Sequence, residues 1–583
     1  MDQETLERIQ FWLNSSIDPE LKEPVIRWQQ EDTQALEDAF NRELEFGTGG
    51  MRGIMAPGTS HINSFTIAKA TYGLAEYYKK KYPGRQLKAV ISFDNRHHSQ
   101  EFAQLAAAVL TQSNIHVTLT AQLRPTPFLS FLVLLEQAQF GIMISASHNP
   151  KEYNGYKVYF ATGGQVVHPD DERIEATIRS LPHRSVPVNP SLDPRYLTLT
   201  TQDHDRAYLK ALQRLALNPK QSLQSGSLLK ILYTNLHGTG LTLLPQALSQ
   251  LGFTNFHVVI EQAPYDGDFP YAPSPNPEDR QALERGLKRL EQEDFDLFIA
   301  TDPDADRLAA AIRHQGKGVV LTGNEMAVLC LEYLFRQQRK RVQPVVKPVV
   351  ISTIVSSRLI KKIAEEHGAE YRDVLTGFKY IGEIMSGLEH RHELDRFLFG
   401  AEESYGFLYG TYAKDKDGIA ASCLLAEMTL DFKLQQLTLV DALHQIYRQY
   451  GVVQEKTATI SLASGALGQA QKTRLMSYLF DTRHETLLGQ RVVRLRNYRD
   501  QQSLDLSTGS ISSIDLPSSQ VLAFDFEDGS ELLIRPSGTE PKIKIYANDI
   551  IHSFLEVDAA IKQSQETLSQ RISDVKQWLL SLI

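Results

Sequence analysis

Apolar residues recur along the 583-residue chain in two rhythms, short unbroken runs that fit buried strands and longer runs at helical spacing that fit amphipathic helices. From residue 86 they predict strand (87–93), helix (100–111), strand (115–120), helix (about 125–135) and strand (140–144). A second alternation has strands at 228–234, 256–260 and 295–300 around a Pro-rich loop at 264–277, and a third has helix 324–336, strand 348–353 and helix 356–366. Strands alternating with helices predict mostly parallel sheets. Residues 1–45 read as a helical arm packed on the first domain, with Phe11, Trp12, Leu13, Ala35, Leu36 and Phe40 at helical spacing. From about Val452 the pattern becomes separated strands, including a hairpin at 521–535, and a long terminal helix near 554–580. The expected fold class is α/β: three similar mixed α/β domains (1–205, 206–322, 323–450) and a C-terminal α+β domain (451–583).

Composition narrows the classes. Hydrophobic residues make up 42% and charged residues 22%, and no uncharged apolar run approaches the ~20 residues that span a bilayer. The polar start, Met-Asp-Gln-Glu-Thr-Leu-Glu-Arg, lacks a secretory pattern. The two cysteines, Cys330 and Cys423, sit in apolar, helix-like surroundings and read as core thiols, which fits a cytoplasmic protein. A net charge of −9 argues against nucleic acid as a partner, so any phosphate must be held locally by a few placed Arg and Lys residues.

Four stretches carry chemistry. The run Gly141-Ile-Met-Ile-Ser-Ala-Ser-His-Asn-Pro150 ends a buried strand in a polar turn, which places Ser147 where α/β sheets carry ligands; no Gly-x-Ser-x-Gly elbow is present. In Phe46-Gly-Thr-Gly-Gly-Met-Arg-Gly53, glycines let backbone N–H groups approach an anion and Arg52 can fork onto phosphate, although a flexible turn would read the same way. Asp302-Pro-Asp-Ala-Asp-Arg307 crowds three carboxylates that would repel unless a cation sat among them. An EF-hand is excluded because Arg307 and Arg313 stand where Gly and Glu are needed. Arg535-Pro-Ser-Gly-Thr-Glu-Pro541 offers an Arg, two hydroxyls and a Gly as a phosphate nest, or a plain Pro/Gly turn.

Ser-Ala-Ser-His-Asn-Pro-Lys-Glu-Tyr-Asn-Gly-Tyr-Lys, residues 145–157, resembles the active-serine signature of the α-D-phosphohexomutases, the family of phosphoglucomutase and phosphomannomutase. The resemblance runs over roughly residues 40 to 550 in the family's domain order, and implies four domains around a central cleft. It implies a catalytic set of Ser147, Lys157, Arg52 and His148, with Ser147 phosphorylated and Lys157 assisting proton transfer; the Gly in Asn154-Gly-Tyr-Lys157 itself suits a tight turn. Mg²⁺ would be held by Asp302, Asp304, Asp306 and the phosphoryl group on Ser147. Substrate would meet Arg307, Thr376, Gly377, Lys379, Glu402 and Ser404, with Arg535, Ser537, Gly538 and Thr539 gripping the phosphate that is not reacting. Arg96, in the Asp-x-Arg core of 94–99, is placed in the outer shell. Ala401 and Ser145 depart from the family's usual Gly and Thr.

The reaction so implied interconverts glucose 1-phosphate and glucose 6-phosphate through glucose 1,6-bisphosphate, which is also the activator. Pentose phosphates, bisphosphate synthesis and mannose phosphates are the rivals within the family. A phosphatase and a non-catalytic sugar-phosphate sensor are the rivals outside it, and either a monomer or a dimer is compatible with the chain.

Overall fold

In the first sheet of the computed structural model, the strand Lys88–Phe93 is the hub. The parallel strand His116–Leu119 and then Leu197–Leu199 lie to one side of it, and the parallel strand Phe140–Ile144 lies to the other. All five residues of Phe140–Ile144 are buried, which is why its sequence is an unbroken apolar run with no alternation. Helices Ser99–Gln112 and Thr126–Leu135 cross between the strands, as the periodicity predicts. The structure describes residues 1–583 except 48, 342, 464 and 538–540, with 465 and 466 described in backbone only.

The open edge departs from expectation. Tyr153–Phe160 pairs antiparallel with Phe140–Ile144, and Gly50–Ile54 pairs antiparallel with Tyr153–Phe160. Asn154-Gly-Tyr-Lys157 is therefore part of a strand and not the tight turn expected. Gly155 is needed for close approach, since a Cβ there would lie 2.5 Å from the Ser145 carbonyl oxygen and 3.1 Å from that of Met51. The arm forms as expected in three helices, Gln3–Asn14, Pro19–Glu31 and Thr33–Phe40. Trp12 and Phe40 meet edge to face at 5.4 Å, and the arm buries Ile9, Trp12, Val25 and Leu36 with Phe65, Ala68 and Val109 of the first block.

The second sheet has Ile231–Thr234 between the parallel strands Phe256–Val258 and Leu297–Thr301. It continues into an antiparallel hairpin, Leu308–His314 and Lys317–Leu321, which the sequence reading did not assign. The chain doubles back through Asp302–Arg307, so both ends of that loop are tied to one sheet.

Residues 1–323 with 378–438 form one unit and 324–377 with 439–583 another. The larger unit takes from the third alternation the helix Phe378–His390, the antiparallel pair Phe397–Glu402 and Gly406–Tyr409, and the helix Gly418–Leu434. The smaller unit contains the parallel pair Val349–Thr353 and Glu370–Val374 with helices Arg358–Glu366 and Leu439–Tyr450. It also holds an antiparallel C-terminal sheet whose hairpin, Leu522–Phe526 and Glu531–Pro536, is where the alternation put it. The terminal helix Val557–Ser581 covers this sheet together with Gly465–Asp481, a helix the sequence reading did not assign, around Leu479, Phe524, Ile534, Leu568 and Val575. Cys330 and Cys423 are buried and free, as expected.

Candidate functional site

Ser147 sits just past the carboxyl end of Phe140–Ile144 with φ 52°, a left-handed conformation that a β-carbon makes costly and that the surroundings must hold. Its N–H donates to Ser145 Oγ at 2.9 Å, so the Ser at 145 supplies the hydroxyl this turn uses. The guanidinium of Arg96, buried and ion-paired to Asp94, donates to the carbonyls of Ser147, Asn149, Pro150 and Tyr153 and so frames the loop from behind. The Ser147 hydroxyl donates to Asp302 Oδ2 at 2.7 Å and lies 3.2 Å from His148 Nδ1. Burial, then Arg307 and Arg52, hold the His148 imidazole well below its ordinary range, so it is neutral.

The three aspartates follow the strand Leu297–Thr301 and are fully buried or nearly so. One carboxylate oxygen from each lies within 4.8 Å of the others. Burial and the neighbouring Asp306 and Asp304 push Asp302 well above the usual carboxylate range. Against the cost of burial, Lys157 holds Asp304 far below it. Lys157 Nζ is 2.6 Å from Asp304 Oδ2 and 3.4 Å from Asp306 Oδ2, and Lys416 Nζ is 2.9 Å from Asp306 Oδ2. Asp304 Oδ1 and Asp306 Oδ1 are buried and have no hydrogen-bond partner among the described residues. Two aspartates that each keep a buried oxygen without a partner, clustered with a third, are what a hard divalent cation needs, so the donor set fits a metal.

Arg307, next in sequence, is tied through its N–H to Asp302 Oδ1 at 3.0 Å and through its side chain to Glu278 at 2.8 Å. Despite burial, Glu278, Asp306 and Asp302 keep it a firm cation. Arg52, on the outermost strand and open to solvent, donates to Asn149 Oδ1 at 3.0 Å, which brings the glycine loop to the serine turn; Thr48 of that loop lies outside the described residues. Ser147, His148, Arg52, Lys157, the three aspartates and Arg307 thus lie around one centre.

The remaining expected residues are distributed over both units. Glu402 ends the strand Phe397–Glu402, and Ser404 lies in the turn to Gly406–Tyr409. Burial raises the Glu402 carboxyl to about 7, with Lys416 opposing and Glu403 adding to the shift. Lys379 is buried on the helix Phe378–His390, with Nζ 4.0 Å from Asp171 Oδ2 and 4.8 Å from the Tyr380 ring centroid. In the smaller unit, Gly377 has φ +126°, which suits Gly alone, and the Thr376 hydroxyl is buried without a hydrogen-bond partner among the described residues. Arg535 ends the strand Glu531–Pro536 with its Nε likewise buried and unpartnered. Ser537 N–H donates to the Lys542 carbonyl at 2.8 Å and closes the base of the loop, whose Gly538 and Thr539 lie outside the described residues.

Residues missed from sequence include Asn149, Glu278, Thr126 and Lys416. Lys416 lies in Lys414-Asp-Lys-Asp417, a charge run that reads as solvated surface. Here it is buried: Asp417 caps the helix Gly418–Leu434 and accepts from Tyr208 and Tyr412, while Asp415 accepts from Tyr159 at 2.7 Å. A Gly at the end of that run, where a Cβ would lie 2.7 Å from the Arg307 carbonyl oxygen, was the available signal.

A strand-end serine bonded into a buried aspartate triad, carried by successive α/β blocks, is an arrangement suited to phosphoryl transfer. Comparison with known proteins narrows it. Residues 43–184, 206–316 and 322–450 match alpha/beta/alpha domains I, II and III of phosphoglucomutase/phosphomannomutase, and 490–548 match the C-terminal domain. The phosphoglucomutase of Staphylococcus epidermidis is 34% identical over 525 residues, covering 89% of this chain and 93% of its own. That of Staphylococcus haemolyticus is 34% identical over 539 residues, covering 92% and 95%. A solved structure of pp63/parafusin, a phosphoglucomutase from Paramecium in its open form, shares the fold with TM-score 0.65 at 18% identity over 92% of this chain and 95% of that one. The chain belongs to the phosphoglucomutase/phosphomannomutase family and has its four-domain architecture. Among the described residues, no helix is long and apolar enough to cross a membrane.

Proposed function

We propose that the protein interconverts glucose 1-phosphate and glucose 6-phosphate, with Ser147 as the residue that carries the phosphoryl group. The observation that carries this reading is the Ser147 hydroxyl held 2.7 Å from Asp302 within the aspartate triad. The protein's phosphoglucomutase relatives, 34% identical over about nine-tenths of the chain, support glucose over other sugars.

Ser147 bearing a phosphoryl group gives it to the free hydroxyl of a hexose phosphate: the Ser147 Oγ–P bond breaks, the new O–P bond forms, and in net the hydroxyl proton ends on Ser147 Oγ. Glucose 1,6-bisphosphate results, and after reorientation its original phosphoryl group returns to Ser147. Mg²⁺ bound to Asp302, Asp304 and Asp306 would supply charge stabilisation to the transferring group. Arg52 and Arg307 add fixed positive charge at the same place. Burial lowers the basicity of Lys157, but Asp304 and Asp306 raise it further, so it is an ammonium suited to protonate the departing serine oxygen. Glu402 and Ser404 would hold ring hydroxyls, Thr376, Gly377 and Lys379 would position the sugar, and Arg535, Ser537, Gly538 and Thr539 would grip the distal phosphate. The partners are thus small sugar phosphates, and the two free thiols fit a cytoplasmic enzyme.

The test is a coupled assay of glucose 6-phosphate formed from glucose 1-phosphate, with Mg²⁺ and trace glucose 1,6-bisphosphate. Turnover that disappears in Ser147→Ala supports both the reaction and the nucleophile. Full activity in that variant sinks the mechanism, and an inactive native protein that turns over ribose 1-phosphate sinks the choice of sugar.

A further inference from the structure

The first residue of the helix Thr126–Leu135 does something that its place in the sequence does not explain. The N-cap of this helix is Pro125, which makes no side-chain cap hydrogen bond, and Thr126 is the first helical residue. Thr126 is completely buried, and its Oγ1 instead donates to Asp304 Oδ2 at 2.7 Å, 178 positions away. Its backbone N–H donates to the Asp304 carbonyl oxygen at 2.8 Å. One residue therefore fixes both the backbone and the carboxylate of Asp304.

The two oxygens of that carboxylate are treated unequally. Oδ2 accepts from both Thr126 and Lys157, whereas Oδ1 is buried with no partner among the described residues. A carboxylate can exchange its oxygens by rotating about its last bond, and a donor on one oxygen decides which one points elsewhere. Lys157 is poorly suited to hold that orientation once a divalent cation shares the carboxylate, because two positive charges then face each other across it. The Thr126 hydroxyl is neutral and donates without that repulsion.

We propose that Thr126 is a positioning residue for the cation site: its hydroxyl pins Asp304 Oδ2 and thereby presents Oδ1 to the metal. This rests on the reading of the three aspartates as metal ligands. The backbone half of the contact survives any substitution that keeps an N–H, so Thr126→Val removes the hydroxyl with little change of shape.

The experiment measures Mg²⁺ affinity by titration calorimetry, and Mn²⁺ affinity by electron paramagnetic resonance, on the full-length chain and its Thr126→Val, Thr126→Ala and Thr126→Ser variants. Circular dichroism and Tm are recorded without metal. Loss of an outer hydrogen bond to a ligand weakens metal binding on the order of ten- to a hundredfold, which is expected for Val and Ala in protein that circular dichroism shows to be folded. Ser, which keeps the hydroxyl, is expected to bind within about twofold of the native protein by the same reasoning. Native affinity in both Val and Ala overturns the inference while leaving the metal reading intact. Metal binding that survives Asp304→Asn undiminished overturns the metal reading and this inference with it. Should Val fold poorly, Ala and Ser still separate the outcomes, since a merely structural role would lower the metal-free Tm without selectively weakening metal binding.

Discussion

Arg96 Nη2 donates to the carbonyl oxygen of Ser147 at 2.6 Å, and the same guanidinium reaches the carbonyls of Pro150 at 2.9 Å and Tyr153 at 3.1 Å. The geometry of the proposed nucleophile is thus set by a cation whose hydrogen bonds go to the backbone of the serine turn. Removing it leaves buried Asp94 unpaired and several carbonyls without a donor, a loss on the order of 3 to 5 kcal/mol. Arg96→Met is expected to unfold at markedly lower urea and to lower kcat more than it raises KM. Arg96→Lys is expected to rescue little, because one ammonium cannot span the carbonyls. Unfolding curves with paired kcat and KM values check this.

Gly155→Ala places a methyl 2.5 Å from the Ser145 carbonyl oxygen, between two strands that cannot separate without moving the turn that follows Ser145. The expected result is a loss of roughly 1 to 3 kcal/mol with reduced kcat. Native stability and native turnover together in this variant would show that the edge strand has slack.

Chelation should abolish turnover, and Mg²⁺ should restore it. On the proposed reading the aspartates hold the ion in the folded state, so saturating Mg²⁺ should raise the native Tm; at a hundred times Kd the gain is about 2.7 kcal/mol. Asp302→Asn should lose most of that rise. Calorimetric scans with and without metal decide the matter.

The Glu455 carboxyl in the smaller unit is raised to about 8 by burial, opposed by hydrogen bonds from Ser357 and Asn324 and reinforced by Glu325. Its folded value lies above the ordinary 4.5, so the folded state prefers the protonated acid. The contribution to stability is complete below pH 4.5, declines as pH rises and is gone above about 8. Glu455→Gln should therefore gain several degrees of Tm over the native protein at pH 8 and lose that advantage at pH 5. Parallel curves for the two proteins across this range would contradict the burial argument.

Much of this was legible in the chain. The strand Phe140–Ile144 follows from five consecutive apolar residues, and helices such as Ser99–Gln112 follow from their period. The serine, aspartate and Arg-Pro-Ser-Gly-Thr motifs could be read because glycine, proline and paired carboxylates are costly where chemistry does not need them. Other features left no local mark. Residues 154–157 read as a turn because Asn-Gly favours turns, yet sheet pairing overrode the propensity and Gly155 serves close packing. Lys416 lies in a charge run that carries no local signal of a site, and only burial against Asp306 made it part of the centre.

What the sequence alone determined, then, is the set of elements and the chemistry at their ends, since both depend on residues within a few positions of one another. Tertiary structure decided which distant groups meet: Ser147 with Asp302 across 155 positions, and Thr126 with Asp304 across 178. It also decided the directions in which the pKa values of Asp302, Asp304 and His148 are shifted. These depend on burial and on charges brought near by other segments, and a pattern along one dimension holds no record of either.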